Sequence, residues 1–412
     1  MKTLLTTILF STALFSAKAA DIYVNNSGQG GTYTTIGAAI AAAAPNDRVF
    51  VSPYGAYTEN LVITQNITLT SAVSGTRFTL VGTITINGAA NMDVRIIGAE
   101  VSSTIAANTG GATLISRANI YLSDCQAAAI SGGDYNVMHV LFCETPGNIT
   151  LRHGEVRGCK INTDDNGTGR INVTEGPNAG IGDTLFIVAN EFVGYSYIEW
   201  QNNDNYFYIA NNYIPNGGNQ YCIRILNHQY STVIDNMIVN NTLRNANTTA
   251  NFSPLNSTST ANVNNVQIWN NIIENTYTVN DVDATPVRFG TTGGGTAKLY
   301  YNYLKGYNNA QTPGATKVVG NDARQYNVAA LTLNADGSCD NATYAVDKGS
   351  PNLQYYDIDL TRGDRGTFGG PYSIDNYTAT AAGNARVYEL DMPFEIWSGQ
   401  TPQVKAESTH TK

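Results

Sequence analysis

The chain has 412 residues, only 13% of them charged, and its 32 acidic against 23 basic side chains leave a formal charge of -9. That balance argues against nucleic acid or an anionic lipid surface as partner. Five cysteines cannot all pair, and four scattered histidines without a CxxC motif give no zinc site.

Residues 1–20 read as a secretory leader. Lys2 supplies the charge, Leu4 to Phe15 the apolar run, and Ala17-Lys18-Ala19-Ala20 a small-residue cleavage site before Asp21. The apolar run is too short to span a bilayer, and no other segment is long and apolar enough, so the mature chain is expected to be exported without a transmembrane segment. Loss of Lys2 and Lys18 takes the formal charge to -11. The expected location is extracellular or the bacterial cell surface.

Next comes IYVNNSGQGGTYTTIGAAIAAAAPNDRVFVSPYGAYTENLVITQNITLTS at 22–71. Thr34 or Thr35 is placed to cap a helix over Ile36 to Ala44, which Pro45-Asn46 ends. The order of strand, Gly-rich turn, Tyr-x-Thr-Ile, helix, Asp-x-Val and Pro-x-Gly-x-Tyr-x-Glu resembles the first coils of the pectin-lyase-like superfamily, in its pectin-methylesterase-type form. Pro53-Tyr54-Gly55 stands where that pattern usually has Pro-Gly. The resemblance implies a right-handed parallel β-helix whose core the helix would cap, and no particular activity, because the fold hosts lyases, hydrolases, esterases and adhesins.

Cys125, Cys143 and Cys159 recur 18 and 16 residues apart, as small buried groups at one point of successive coils. The stretch 148–170 holds the densest charge. Arg157, Lys160 and Arg170 with Asp164 and Asp165 are the candidates for a lyase, which needs a base near a cation that neutralises a uronate. Asn162-Thr163-Asp164-Asp165 resembles the Asn-Thr-Asp motif of polygalacturonases, but their Asp-Asp, Gly-His-Gly and Arg-x-Lys motifs are missing. The methylesterase motifs beyond the first coils are missing too.

Tyr195, Tyr197 and Trp200 form a candidate row for stacking on sugar rings. From Val188 to Leu304 a short phrase returns as VANEFV, IANNYI, IDNMIV, IWNNII and YYNYLK, which aligns Asn190, Asn211, Asn236, Asn270 and Asn302 at steps of 21, 25, 34 and 32 residues. A period of this size marks a solenoid, and the recurring Asn is expected to stack as a ladder. Asn240 to Asn265 reads as a bulging loop. Residues 346–373 are similar to the closing segment of secreted bacterial β-helix proteins, so the carboxylates of Asp357, Asp359 and Asp364 are expected to bond turn amides and Arg362 or Arg365 in a terminal coil. Residues 386–397 read as one or two strands, followed by a frayed tail.

The expectation is thus an all-β chain: a leader at 1–20, a right-handed single-stranded parallel β-helix with an N-terminal helical cap at 21–372, and a short C-terminal β extension at 373–412. Roughly 12–14 coils at about 4.8 Å give a rod of about 60 Å. Its side wall would bind a polysaccharide, a surface glycan or another extracellular component. The alternatives are a polysaccharide lyase or glycoside hydrolase acting on an acidic glycan, and a structural or adhesive rod. No cofactor or metal is expected, with calcium entering only in the lyase reading.

Overall fold

A computed structural model describes residues 19–108, 113, 116–165, 167–175, 183–202, 205–216, 221–226, 236–245, 253–257, 266–276, 286–289, 297–306, 331–339, 342–377, 385–391 and 405–410. The leader reading, on residues 1–20, falls almost wholly outside them. Among the described residues no helix is long and apolar enough to cross a membrane.

Alternation of inward apolar and outward polar residues drives the chain into short strands that pair only in parallel until residue 305. Asp47–Val51 buries Val49 and Val51 and turns Arg48 to solvent. Each Val49-type position stacks on its equivalent in the next turn of chain, from Val49 through Leu69, Ile96, Leu122 and Val140 to Leu299, giving one continuous core column. Three such walls form a right-handed parallel β-helix, the sense that parallel crossovers take. The first sheet has twelve strands, Asp21–Val24 to Ala297–Tyr300. Eleven intervals of about 4.8 Å make a stack of about 53 Å. The second and third sheets merge where Ala99–Asn108 and Gln126–Ser131 run through both without a turn.

Helix α1, Ile36–Ala42, closes one end with Ile36, Ala39 and Ile40 buried. The Thr35 hydroxyl accepts from the Ala38 amide, and both oxygens of Glu59, one coil on, accept from the amides of Ile36 and Gly37 at 2.7 and 2.9 Å. These are the otherwise unpaired donors of a helix start, and a carboxylate also suits its dipole.

The corner between the first and second sheets repeats one two-residue device. Gly98, Asp124, Phe142, Gly158, Ala189, Asn211, Asn240, Asn270 and Tyr301 all have φ between 52 and 67°, the left-handed region that turns the chain sharply. The residue after each faces inward: Ala99, Cys125, Cys143, Cys159, Asn190, Asn212, Asn241, Asn271 and Asn302. The Asn ladder therefore runs through 190, 212, 241, 271 and 302. It does not pass through Asn211, Asn236 and Asn270. In the Asn-Asn doublets the first residue takes the left-handed angles and points out, and only the second points in. Asn236 instead opens a first-sheet strand, where its Oδ1 accepts from the Phe207 amide.

Each ladder amide from Asn190 to Asn271 joins three coils. Asn241 Nδ2 donates to Asn271 Oδ1 at 3.0 Å and to the Ile209 carbonyl at 2.9 Å, while its own Oδ1 accepts from Asn212 Nδ2 and from the Asn212 backbone N–H. The cysteines continue the column: the Cys159 amide donates to Asn190 Oδ1 at 2.9 Å, and the Cys143 amide points at Cys159 Sγ at 3.4 Å. All five cysteines are free thiols.

The C-terminal part corrects three expectations. Residues 347–377 form no terminal coil. They lie lengthwise as a strap over the outer face of the stack, running back toward its N-terminal half. Asn211 Nδ2 donates to the carbonyls of Thr367 and Gly369, Asn240 Nδ2 to that of Asp364, and Asn270 Oδ1 accepts from the Ser350 amide. Under the strap, outward apolar residues (Val188, Ala210, Val239) meet Tyr355, Ile374 and Tyr377 in a second small core. Asp357 and Asp364 do accept turn amides, but on the strap: Asp357 from Asp364 and Gly370, Asp364 from Asp347. The tail does not simply fray, since Lys405–His410 pairs antiparallel with Ala385–Asp391. Within the supposed loop after Asn240, Thr242–Asn245 and Leu255–Ser257 are stacked strands.

Asn241→Ala removes a donor from the Ile209 and Val239 carbonyls and from Asn271 Oδ1, and leaves the buried Asn212 backbone N–H unpaired. It is expected to cost about 3 kcal/mol, read as a lowered urea midpoint. Burial first, then the neighbouring Asp364 charge, against the Gly370 amide, raises Asp357 from 3.8 to about 6. Its ionised form is disfavoured in the docked strap, so its contribution to stability is full below the ordinary carboxylate range and lost as pH rises through about 6. Urea midpoints followed against pH should show that fall, and Asp357→Asn should flatten it.

Candidate functional site

The corner column that carries the strap has an open half. Across the coils of the C-terminal half, the left-handed Asn residues hold the strap. Toward the N-terminus the same corner is uncovered and becomes a groove of about 730 Å³, a volume typical of ligand sites. Its floor includes Gly98 and Gly158, where no side chain fills the corner. The segment 70–77 forms one wall, and the outward second-sheet column Glu144, Lys160, Glu191 forms the other. Ile374 and Tyr377 of the strap close the end, with Tyr377 stacked on Phe142 at 6.0 Å.

Arg77 reaches across three coils from the wall at 70–77. Its Nη2 donates to Asp124 Oδ1 at 2.9 Å and Glu144 Oε1 at 2.8 Å, its Nη1 to Gln126 Oε1 at 3.2 Å. Burial opposes its charge, but the Glu144 and Asp124 carboxylates outweigh burial and raise its pKa. Lys160 Nζ lies 3.3 Å from Glu191 Oε1, both side chains half-exposed. Every charged group lining the groove therefore has an opposite partner. No histidine lines it. Among the described residues no group of three or more His, Cys, Asp or Glu is placed to hold a metal ion. The groove lining presents paired charges and the partly exposed rings of Phe50 and Phe142, while Tyr377 is buried in its stack on Phe142.

The five residues expected at a lyase centre land on different faces. Arg157 is buried on the outer side of the first sheet, its Nε donating to Glu155 at 2.6 Å and its guanidinium over the rings of Phe186 and Tyr372. Lys160 lies in the groove on the second sheet. Asp164 and Asp165 sit exposed in the turn that follows. Arg170 is on the third sheet, bonded to Tyr197 Oη and Glu199. A base and a uronate clamp must share one cleft, and these residues do not. Strand parity separates the aromatic row as well. Tyr195 and Tyr197 face out from the third sheet, away from the groove, but Trp200 shares the parity of Ile198 and is fully buried, edge-on to Phe207 at 5.2 Å with its Nε1 donating to the Asn202 carbonyl. Trp200 is core and not a stacking platform.

Arg77, Asp124, Phe142, Glu144 and Tyr377 escaped the sequence reading. Asp124 and Phe142 each precede a ladder cysteine, and that position, once known to point outward, would have flagged them. Nothing in the sequence around Arg77 or Tyr377 marks them.

No protein-family model matches the chain, and no curated protein matches it. One solved structure is similar, a pectin methylesterase in complex with a hexasaccharide: 12% identity, 78% of this chain and 92% of that chain covered, TM-score 0.17. The fold class rests on the strand register given above.

The placement predicts a contrast. Trp200→Ala is expected to cost about 3–5 kcal/mol, and Tyr195→Ala to stay within about 0.5 kcal/mol of the parent, both read by chemical denaturation.

Proposed function

We propose that this chain is an exported carbohydrate-binding protein that holds a glycan along its lateral groove. The observation that carries the reading is the open half of the corner track: an elongated cleft with aromatic faces and mutually paired charges, continuous with the track that already holds an extended chain segment. Sugar rings stack on aromatic faces, and their hydroxyls both donate and accept hydrogen bonds. The leader-like residues 1–20 support a place outside the cytoplasm, where glycans are met. A catalytic reading lacks support in the groove, because its carboxylates are engaged by Arg77 and Lys160.

Glycan-array screening of the full-length secreted protein, followed by calorimetry on the hits, tests this. Phe50→Ala and Phe142→Ala should each weaken a hit at least about tenfold, the scale of a lost stacking contact, while Tyr195→Ala on the other face leaves it unchanged. An unchanged affinity in both groove variants, or a loss only in Tyr195→Ala, places binding elsewhere and overturns the reading.

A further inference from the structure

We infer that the groove selects a neutral, hydroxyl-rich oligosaccharide and rejects acidic ones; the inference rests on the groove reading above and narrows its ligand. Charge comes first. The lining carries two cations, Arg77 and Lys160, against three carboxylates, Asp124, Glu144 and Glu191. Both cations are already engaged, Arg77 by Asp124 and Glu144 and Lys160 by Glu191. A uronate or sulfate entering here meets a net negative wall and has to break an existing ion pair to find a cation. A carboxylate only accepts hydrogen bonds, so it offers Glu144 or Glu191 nothing in exchange. A sugar hydroxyl donates to the carboxylate and accepts from the guanidinium or ammonium at once, and so inserts into either pair without stranding a charge.

The strap supplies the second argument, by contrast. Where this corner holds a polypeptide, outward Asn side chains at the left-handed positions catch its carbonyls and amides: Asn211 and Asn240 donate, and Asn270 accepts. At the equivalent positions toward the N-terminus stand Gly98, Asp124, Phe142, Gly158 and Ala189, the last three meeting the end of the strap at Ile374 and Tyr377 through apolar packing. None is a carboxamide, so the device that recognises backbone is not repeated. In its place the groove presents bare corner, aromatic rings and paired charges, which suit a ring polymer better than a peptide. Length gives the third. From the coil of Phe50 to that of Glu191 the lining spans six intervals of about 4.8 Å, or about 29 Å, room for several sugar units in a row.

The test is calorimetric titration of the full-length protein with neutral hexasaccharides (β-glucan, xylan, mannan and galactan types) and with hexagalacturonate and hexaguluronate, at low and high salt. At least one neutral hexamer is expected to bind at least about tenfold tighter than either acidic one at low salt, with little salt dependence. Glu144→Gln removes one negative charge while keeping an acceptor for Arg77, and should narrow the preference. Tighter binding of an acidic hexamer, or an unchanged preference in the properly folded Glu144→Gln variant, overturns the inference and leaves the groove as a glycan site. Failure of every hexamer of both classes to bind removes the groove reading itself.

Discussion

Vertical registry of the coils is the constraint on which everything else rests. In a solenoid each coil touches only its neighbours, so any slip propagates into every column of side chains above it. The inward amide ladder from Asn190 to Asn302 opposes slippage because each carboxamide holds the coil before and the coil after in one bonded arrangement. Burial makes those bonds costly to lose, since a stranded donor has no water to turn to. In the N-terminal half the same position is filled by Cys125, Cys143 and Cys159, whose sulfur is a weaker acceptor. There registry leans more on the aliphatic columns.

The outward partner of each ladder residue then decides what the corner can hold. Left-handed angles cost a side-chain-bearing residue about 1–2 kcal/mol, less for Asn. The coils under the strap use Asn, and its carboxamide serves the strap as well as the turn. Phe142 and Ala189 take the same angles without that relief, and both line the groove. One repeating backbone device thus carries two surfaces of different chemistry along a single edge.

How much of this the sequence discloses follows from the range of each signal. The cap helix is local, with Thr35, an Ala-rich face and Pro45, and it forms where expected apart from its last turn. The recurrence of Asn and Cys betrays the stacked corner, because the geometry demands a small polar or polarisable group there in every coil. The doublets conceal which Asn points inward, since a one-residue shift reverses direction and the spacing alone is blind to it. The inward direction of Trp200 is hidden for the same reason. The strap and the groove depend on contacts between residues far apart in the chain, such as Asn211 with Thr367, and periodicity carries no information about them. Arg77 meets Glu144 only because three coils happen to superpose.

The lid at the first coil bears on how such rods behave in a crowd. An open-ended stack of parallel strands is a template: its terminal edge and bare interior invite the next molecule to continue the pile. Here α1 plugs the apolar interior, Glu59 ties that plug to the following coil, and the Tyr33 backbone bonds to the outermost strand through the Tyr23 carbonyl. Growth from this end is blocked by the chain itself. Head-to-tail fibre formation, an inherent hazard of the architecture, is thereby denied one of the two faces it requires.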